Sequence, residues 1–431
     1  MKIVINPIRT ALSDLDQYFH ILVRLQSEPQ AGFKRTPLNL ALVMDRSGSM
    51  QGPKLREAKR CVVDLIQRMH PEDQVGLVQY DDQVDTVLPL NPVDQVSGVI
   101  DSLVQGITAN GGTDLHAGWL RGGEMLAPKA GIQSICHTIL LSDGQTNRGL
   151  TNTARICEQV SALAGAGVTT TTVGLGADFN EELMTAIAQA GHGNAHYGER
   201  AIDLAETFEA EIGLLSQLQW RNMEMSVSGD STQIELLNTY QRAGEGWRMP
   251  SVALGSECWA LFRMPMREAI RLQAERGSAL TVSVRAIDAN GEQFSFKGQL
   301  LSLPIVAPDV YSAELGHELV ERRINELNAA MLQMEIRNAA LRGDWLQVEQ
   351  LVNRLETIGR NEPWVAASIA FTRQLMRARD EGRMSKEMLY KSRKMNRRLS
   401  STDEMMFSMT DDFELPAFLR RKSTEGRRSE T

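Results

Sequence analysis

A chain of 431 residues exceeds what one hydrophobic core serves, so two or three domains are expected. An apolar share of 42% is ordinary for a globular protein, and a formal net charge of −8 argues against a broad nucleic-acid-binding face. No stretch approaches the roughly 18 to 20 uninterrupted apolar residues of a membrane span, and the opening MKIVINPIRTALSDLDQ lacks the apolar run of a signal peptide. Cys61, Cys136, Cys157 and Cys258 show no CxxC spacing and lie in apolar surroundings. They read as reduced core residues, and the compartment reads as cytoplasmic.

In chain order, the first alternating stretch places Phe19, Ile21, Val23 and Leu25 on one face. One strand cannot stand alone, so residues 1–36 are expected to supply a strand to a later sheet. Residues 37–218 alternate short apolar runs with amphipathic segments, the pattern of an α/β fold with a doubly wound, mostly parallel sheet. LNLALVMD (38–45) is apolar almost throughout, as a strand buried on both faces should be. Pro53 then opens a helix through about Met69, with Leu55, Ala58, Val62, Leu65 and Ile66 on one stripe. Strands follow at 74–80 and, as an edge, 84–90; helices at 93–105 and 114–127; a buried strand at 135–142. The remainder reads as helix 151–165, strand 168–176, helix 180–190 and a last long helix over about 200–217.

Residues 219–306 alternate apolar and polar positions, and Asp288-Ala-Asn-Gly291 is a hairpin turn, so an antiparallel β-sandwich is expected. With the N-terminal strand it makes the α/β domain an insertion in a β domain. Residues 307–400 return to helical spacing through Leu315, Leu319, Ile324, Leu327, Met331 and Met334. Arg342-Gly-Asp344 breaks that run before a helix at about 345–358, which predicts a helical hairpin with this tripeptide as its turn. The Lys- and Arg-rich segment 376–400 reads as a solvated helix face, and 401–431 as a flexible tail.

Three loops at the carboxyl ends of predicted parallel strands concentrate hydroxyls and carboxylates: Asp45-Arg-Ser47-Gly-Ser49, Gly111-Gly-Thr113-Asp114 and Ser142-Asp143-Gly144. Open α/β sheets bind ligands beyond those strand ends, so the loops can converge on one crevice. Hydroxyls of Ser47, Ser49 and Thr113 suit direct contact with a hard divalent cation, Mg2+ or Mn2+, with Asp45 and Asp143 holding its waters or replacing one. The absence of His and Cys from these loops argues against zinc.

DxSxS, a Thr farther on and an Asp before Gly together resemble the metal-ion-dependent adhesion site of von Willebrand factor type A domains, with all five positions present: Asp45, Ser47, Ser49, Thr113 and Asp143. The order of elements over 37–218 is also similar. The resemblance implies a bacterial-type intracellular protein that binds a partner non-catalytically, the partner's Asp or Glu completing the coordination of the metal. It further implies, as partners, AAA+ ATPases of the MoxR or chelatase type, or kinase and phosphatase pairs. A metal-dependent hydrolase and an RNA-binding relative are the alternatives. No nucleophile–base motif supports the first, and net acidity with a short helical region weighs against the second.

Tyr80-Asp81-Asp82 also follows a strand end, as a capping pair or a supporting layer of the site. Glu181 and Glu182 suit the start of a helix, and His192 and His196 read as loop residues. The segment Asp411 to Lys422 resembles the C-terminal peptide of FtsZ, the bacterial tubulin-like division protein. Its Leu415, Pro416, Phe418, Leu419 and Arg420 form an apolar anchor bracketed by charge, which suits a groove-containing protein partner.

Overall fold

A computed structural model describes residues 1–27, 35–131, 134–175, 179–198, 208, 211–228, 233–360, 363–396 and 400–401. Leu415, Pro416, Phe418, Leu419 and Arg420 lie outside the described residues, as does most of the segment read as the helix 200–217. The described residues form two compact units.

The unit Lys34–Gln217, joined by Ala289–Gly291, is built on a six-stranded sheet. Its strand order is Val84–Pro92, Gln74–Tyr80, Leu38–Asp45, Ile135–Ser142, Val168–Leu175, His192–Gly198. The first pair is antiparallel and the other four pairings are parallel. Leu38–Asp45 and Ile135–Ser142 are buried at every position, which explains their unbroken apolar runs. From Leu38–Asp45 the chain first builds toward one edge and later returns to build toward the other. The gap between this strand and Ile135–Ser142 is therefore the topological switch point. Helix Leu115–Leu126 lies close over the sheet: a Cβ at Gly118 would stand 2.4 Å from the Tyr80 ring, and one at Gly122 2.4 Å from Val43 Cγ2.

Two elements of this unit differ from expectation. The helix expected over 93–105 is two short pieces, Val93–Val96 and Ile100–Gln105, parted where Ser97 and Gly98 fall. His192–Gly198, expected as loop, is the parallel edge strand on Val168–Leu175. Backbone pairing carries it where its side chains show no apolar alternation.

The second unit contains two antiparallel sheets. In one, Tyr18–Gln26 lies between Lys2–Pro7 and Ser256–Pro265, with Phe19 opposite Met264, Ile21 opposite Phe262 and Val23 opposite Ala260. In the other, Leu218–Ser228 pairs with Leu280–Asp288, which turns through Asp288–Gly291 into Gln293–Leu301. Helix Met266–Arg276, ended by Gly277 at φ 72°, interrupts the strands and was not indicated by their alternation.

The region 307–400 is larger than a hairpin: four helices, Glu318–Leu341, Trp345–Gly359, Pro363–Ala378 and Glu381–Asn396, share one core. The turn at Arg342-Gly-Asp344 is as expected, with Gly343 at φ 70° and Asp344 accepting from Gln347 N at 3.1 Å. The buried stripe is only in part as expected: Leu315 is 93% and Met331 56% exposed. Leu327, with Leu319 and Ile324 of the expected stripe, packs with Val320 against Leu22, Trp259 and Leu261 of the first sheet. Buried Arg323 pairs with buried Glu326 at 2.7 Å and lies over the Trp259 ring. Met384, Met388 and Met395 are buried in the helical core, so the basic last helix has an apolar side as well as a solvated face. All four cysteines are free thiols.

Candidate metal centre

The parallel register sets Asp45 opposite Tyr80 and Met44 opposite Leu141, so the loops after Leu38–Asp45 and Ile135–Ser142 emerge side by side. Asp45 is buried and commits both carboxylate oxygens. Ser47 N donates to Oδ1 at 2.8 Å, and Ser142 Oγ donates to Oδ2 at 2.6 Å. The first bond tightens the loop so that Ser47 and Ser49 turn to the same side. Their Oγ atoms lie 3.1 Å apart, Ser47 buried and Ser49 exposed.

The Thr113 loop joins the same cluster through its backbone. Gly48 N donates to Gly111 O at 3.2 Å and Asn110 N to Arg46 O at 2.8 Å. Gly111 holds φ at 65°, a left-handed turn that glycine adopts without strain. Thr113 N donates to Asn147 Oδ1 at 2.9 Å, and Thr113 is buried. Asp143, also buried, accepts from Lys54 Nζ at 3.1 Å on Oδ2, while its carbonyl accepts from Asn180 N at 2.9 Å. The five candidates therefore stand on three neighbouring loops at one end of the sheet.

The donors are hydroxyl and carboxylate oxygens, the set that hard divalent cations prefer. Cis ligands of an octahedron with metal–oxygen distances of about 2.1 Å stand roughly 3.0 Å apart, and the Ser47–Ser49 Oγ separation matches that edge. Asp45, with both oxygens engaged, is suited to support rather than direct contact. Among the described residues no group of three or more His, Cys, Asp or Glu side chains is arranged to hold a metal. The candidate centre escapes that description because hydroxyls supply most of its donors. Burial pushes the Asp45 carboxyl up to about 6, with its bonds to Ser142 and Ser47 opposing and the neighbouring Asp143 adding to the rise. Burial likewise raises the Tyr80 phenol, and the Asp45 charge adds to it.

Asp81 is a turn residue with a second task. Its Oδ1 accepts from Gln83 N at 2.7 Å, and its Oδ2 lies 3.1 Å from an Arg46 guanidinium nitrogen. Sequence reasoning named Ser142 with its loop, and the structure shows this residue bracing Asp45; Lys54 and Asn147 were missed as parts of the cluster.

Sequence reasoning also missed a second polar cluster in the same unit. Glu211, buried, accepts from Thr171 Oγ1 at 2.7 Å and Asn194 Nδ2 at 2.8 Å. His196 Nε2 is 3.3 Å and His137 Nε2 3.6 Å from its carboxylate. Burial would raise this carboxyl, but His196, His137 and Thr171 outweigh it and hold the group at about 2. Burial drives His137 down to about 4 against the pull of Glu211. A histidine inside the buried run ICHTILLS was the signal available.

Residues 39–210 match the family described as von Willebrand factor type A domain. Residues 39–210 thus form a domain of the von Willebrand factor type A fold. The chain is 28% identical over 192 residues to an uncharacterised protein of Synechocystis sp., covering 44% of this chain and 45% of that one. Inter-alpha-trypsin inhibitor heavy chain H3 of Homo sapiens is 28% identical over 229 residues, 50% of this chain and 25% of its own length. The chain thus spans less than half the length of these curated relatives. Among solved structures, a von Willebrand factor type A protein from Catenulispora acidiphila superposes with a TM-score of 0.66 at 17% identity, covering 87% of this chain and 89% of that one. The ArnB paralog VWA2 from Sulfolobus acidocaldarius gives 0.60 at 17% identity, covering 92% and 98%. At such identity these likenesses establish the fold, and they extend beyond the A domain into the second unit. No helix among the described residues is long and apolar enough to cross a membrane.

Proposed function

We propose that this chain is a non-catalytic adaptor that grips a partner protein through a divalent cation, Mg2+ or Mn2+, at Ser47, Ser49 and Thr113, supported by Asp45 and Asp143. The observation that carries the reading is the 3.1 Å edge between the Ser47 and Ser49 hydroxyls beside two buried carboxylates. When bound, the cation acts as a Lewis acid toward a carboxylate from outside the chain. Asp45 fixes the Ser47 loop through Ser47 N and the strand end through Ser142, so its task is to hold the hydroxyls in place. Gly111 and Asn147 do the same for Thr113.

The partner's Asp or Glu is the remaining ligand, and the protein works in the cytoplasm beside an AAA+ ATPase or a kinase and phosphatase pair. The FtsZ-like segment 411–422 gives a second, weaker attachment to a groove-containing partner and raises effective concentration at the metal centre. Affinity capture with the full chain tests the reading. Partners retained in Mg2+ should be released by chelator and missed by Asp45→Ala, while Phe418→Ala with Leu419→Ala weakens capture without lowering Tm. Capture indifferent to both chelator and Asp45→Ala would sink it.

A further inference from the structure

Lys54 stands in the first turn of helix Pro53–Gln67, and its Nζ lies 3.1 Å from Asp143 Oδ2. The Asp143 side chain is fully buried, whereas that of Lys54 keeps 24% of its surface exposed. The ammonium thus sits at a buried carboxylate on a flexible four-carbon shaft that reaches solvent. Asp45, the other buried acid of the centre, is bonded only to neutral donors, Ser47 N and Ser142 Oγ. Arg46, the cation within the first loop, is directed to Asp81 and Asp85. Among the described residues Lys54 is the one cation paired with a carboxylate of the centre.

We propose that Lys54 is a built-in counter-cation which a divalent ion must displace from Asp143, so that this side chain sets the metal affinity of the site. The inference rests on the metal reading above. An ammonium and a divalent cation drawn to the same carboxylate repel each other, and the repulsion is weakly screened beside buried acids. The shaft of Lys54 lets the ammonium swing into water, so binding exchanges one partner of Asp143 for another. The metal-free centre stays charge-paired, and metal occupancy requires a higher free concentration than the oxygen donors alone would need.

Calorimetric titration of the full chain with Mn2+, and separately with Mg2+, tests this on wild type, Lys54→Gln and Lys54→Met, the last retaining the aliphatic shaft should the amide disturb folding. Both variants should bind on the order of tenfold more tightly than wild type, the size expected for removing a like charge that relieves part of its repulsion from the divalent ion by swinging into water. In chelator their Tm should fall below wild type, and saturating Mn2+ should close the gap. Affinity equal to or weaker than wild type in both variants overturns the proposal while leaving the metal centre standing. Absence of binding in all three proteins overturns the metal reading, and this inference with it.

Discussion

Strand Ile135–Ser142 carries a buried polar cluster near each end, and the two are built on opposite plans. Near its start, Glu211 has Thr171, Asn194, His196 and His137 around its carboxylate, so its charge is fully answered from within the unit. At its finish, Asp143 pairs with one ammonium and Asp45 with none, and the Ser47 and Ser49 hydroxyls stand 3.1 Å apart on the Asp45 loop. A saturated buried charge serves the fold, because removing any partner leaves an uncompensated group in a low-dielectric interior. An under-saturated one has capacity left for a ligand. Both clusters are polar and buried, so burial alone does not separate structural from functional acids; the paired hydroxyls left beside Asp45 and the single exchangeable cation on Asp143 do.

The sharpest way to break this contrast is Glu211→Ala. It should cost about 3 kcal/mol of unfolding free energy, since it leaves the buried Thr171 hydroxyl and the Asn194 amide without their acceptor. Urea unfolding in the presence of chelator measures it, and Mn2+ affinity should be unchanged in the folded variant. A loss below about 1 kcal/mol would show that the cluster is not saturated in the sense argued.

The two ends should also answer pH with opposite sign. His137 is held down to about 4, so between roughly 6.5 and 4 the unfolded chain binds a proton that the folded one does not, and stability falls on acidification. Glu211, held at about 2, extends that loss below about 4.5. Asp45 is raised to about 6, so the folded chain takes up its proton first and stability rises as pH falls from about 6 toward 3.8. Without metal, His137→Asn should therefore flatten the acid-side loss, and Asp45→Asn should steepen it. Denaturant midpoints across pH 4–7 with chelator would check both signs.

Smaller effects sharpen the metal end. A Cβ at Gly149, where φ is 63°, would meet the Asp114 carboxylate at 2.1 Å and disturb the cap of helix Leu115–Leu126 next to Thr113. Gly149→Ala should cost about 2 kcal/mol and weaken Mn2+ binding, read by thermal unfolding and titration. Asn180→Ala removes only the cap on Leu183 N, because its own backbone still bonds Asp143 O. About 1 kcal/mol of stability should be lost with metal affinity intact.

The convergence of the candidate centre's loops was legible in the sequence because its parts are local: DxSxS and Ser142-Asp143-Gly144 each lie at the end of an apolar strand. Strands whose both faces are buried announce themselves as unbroken apolar runs, and the insertion of an α/β pattern between alternating strands was visible in the change of period. What stayed hidden depends on contacts between residues far apart in the chain. Glu211 meets His137 only when the sheet forms, and His192–Gly198 was hidden because Asn194 and His196 within it face the polar Glu211. Lys54 looked like an ordinary first-turn residue of an amphipathic helix. In the helical region, Leu319, Ile324 and Leu327 of the expected stripe are packed, whereas Leu315 precedes the helix that starts at Glu318 and Met331 is exposed.

Equilibrium titration with Mn2+ followed by electron paramagnetic resonance tests the central claim most directly. One Mn2+ should bind per wild-type chain, displaced by Mg2+ and lost in Asp45→Ala without loss of fold. Free Mn2+ undiminished by wild-type protein at millimolar concentration would contradict it.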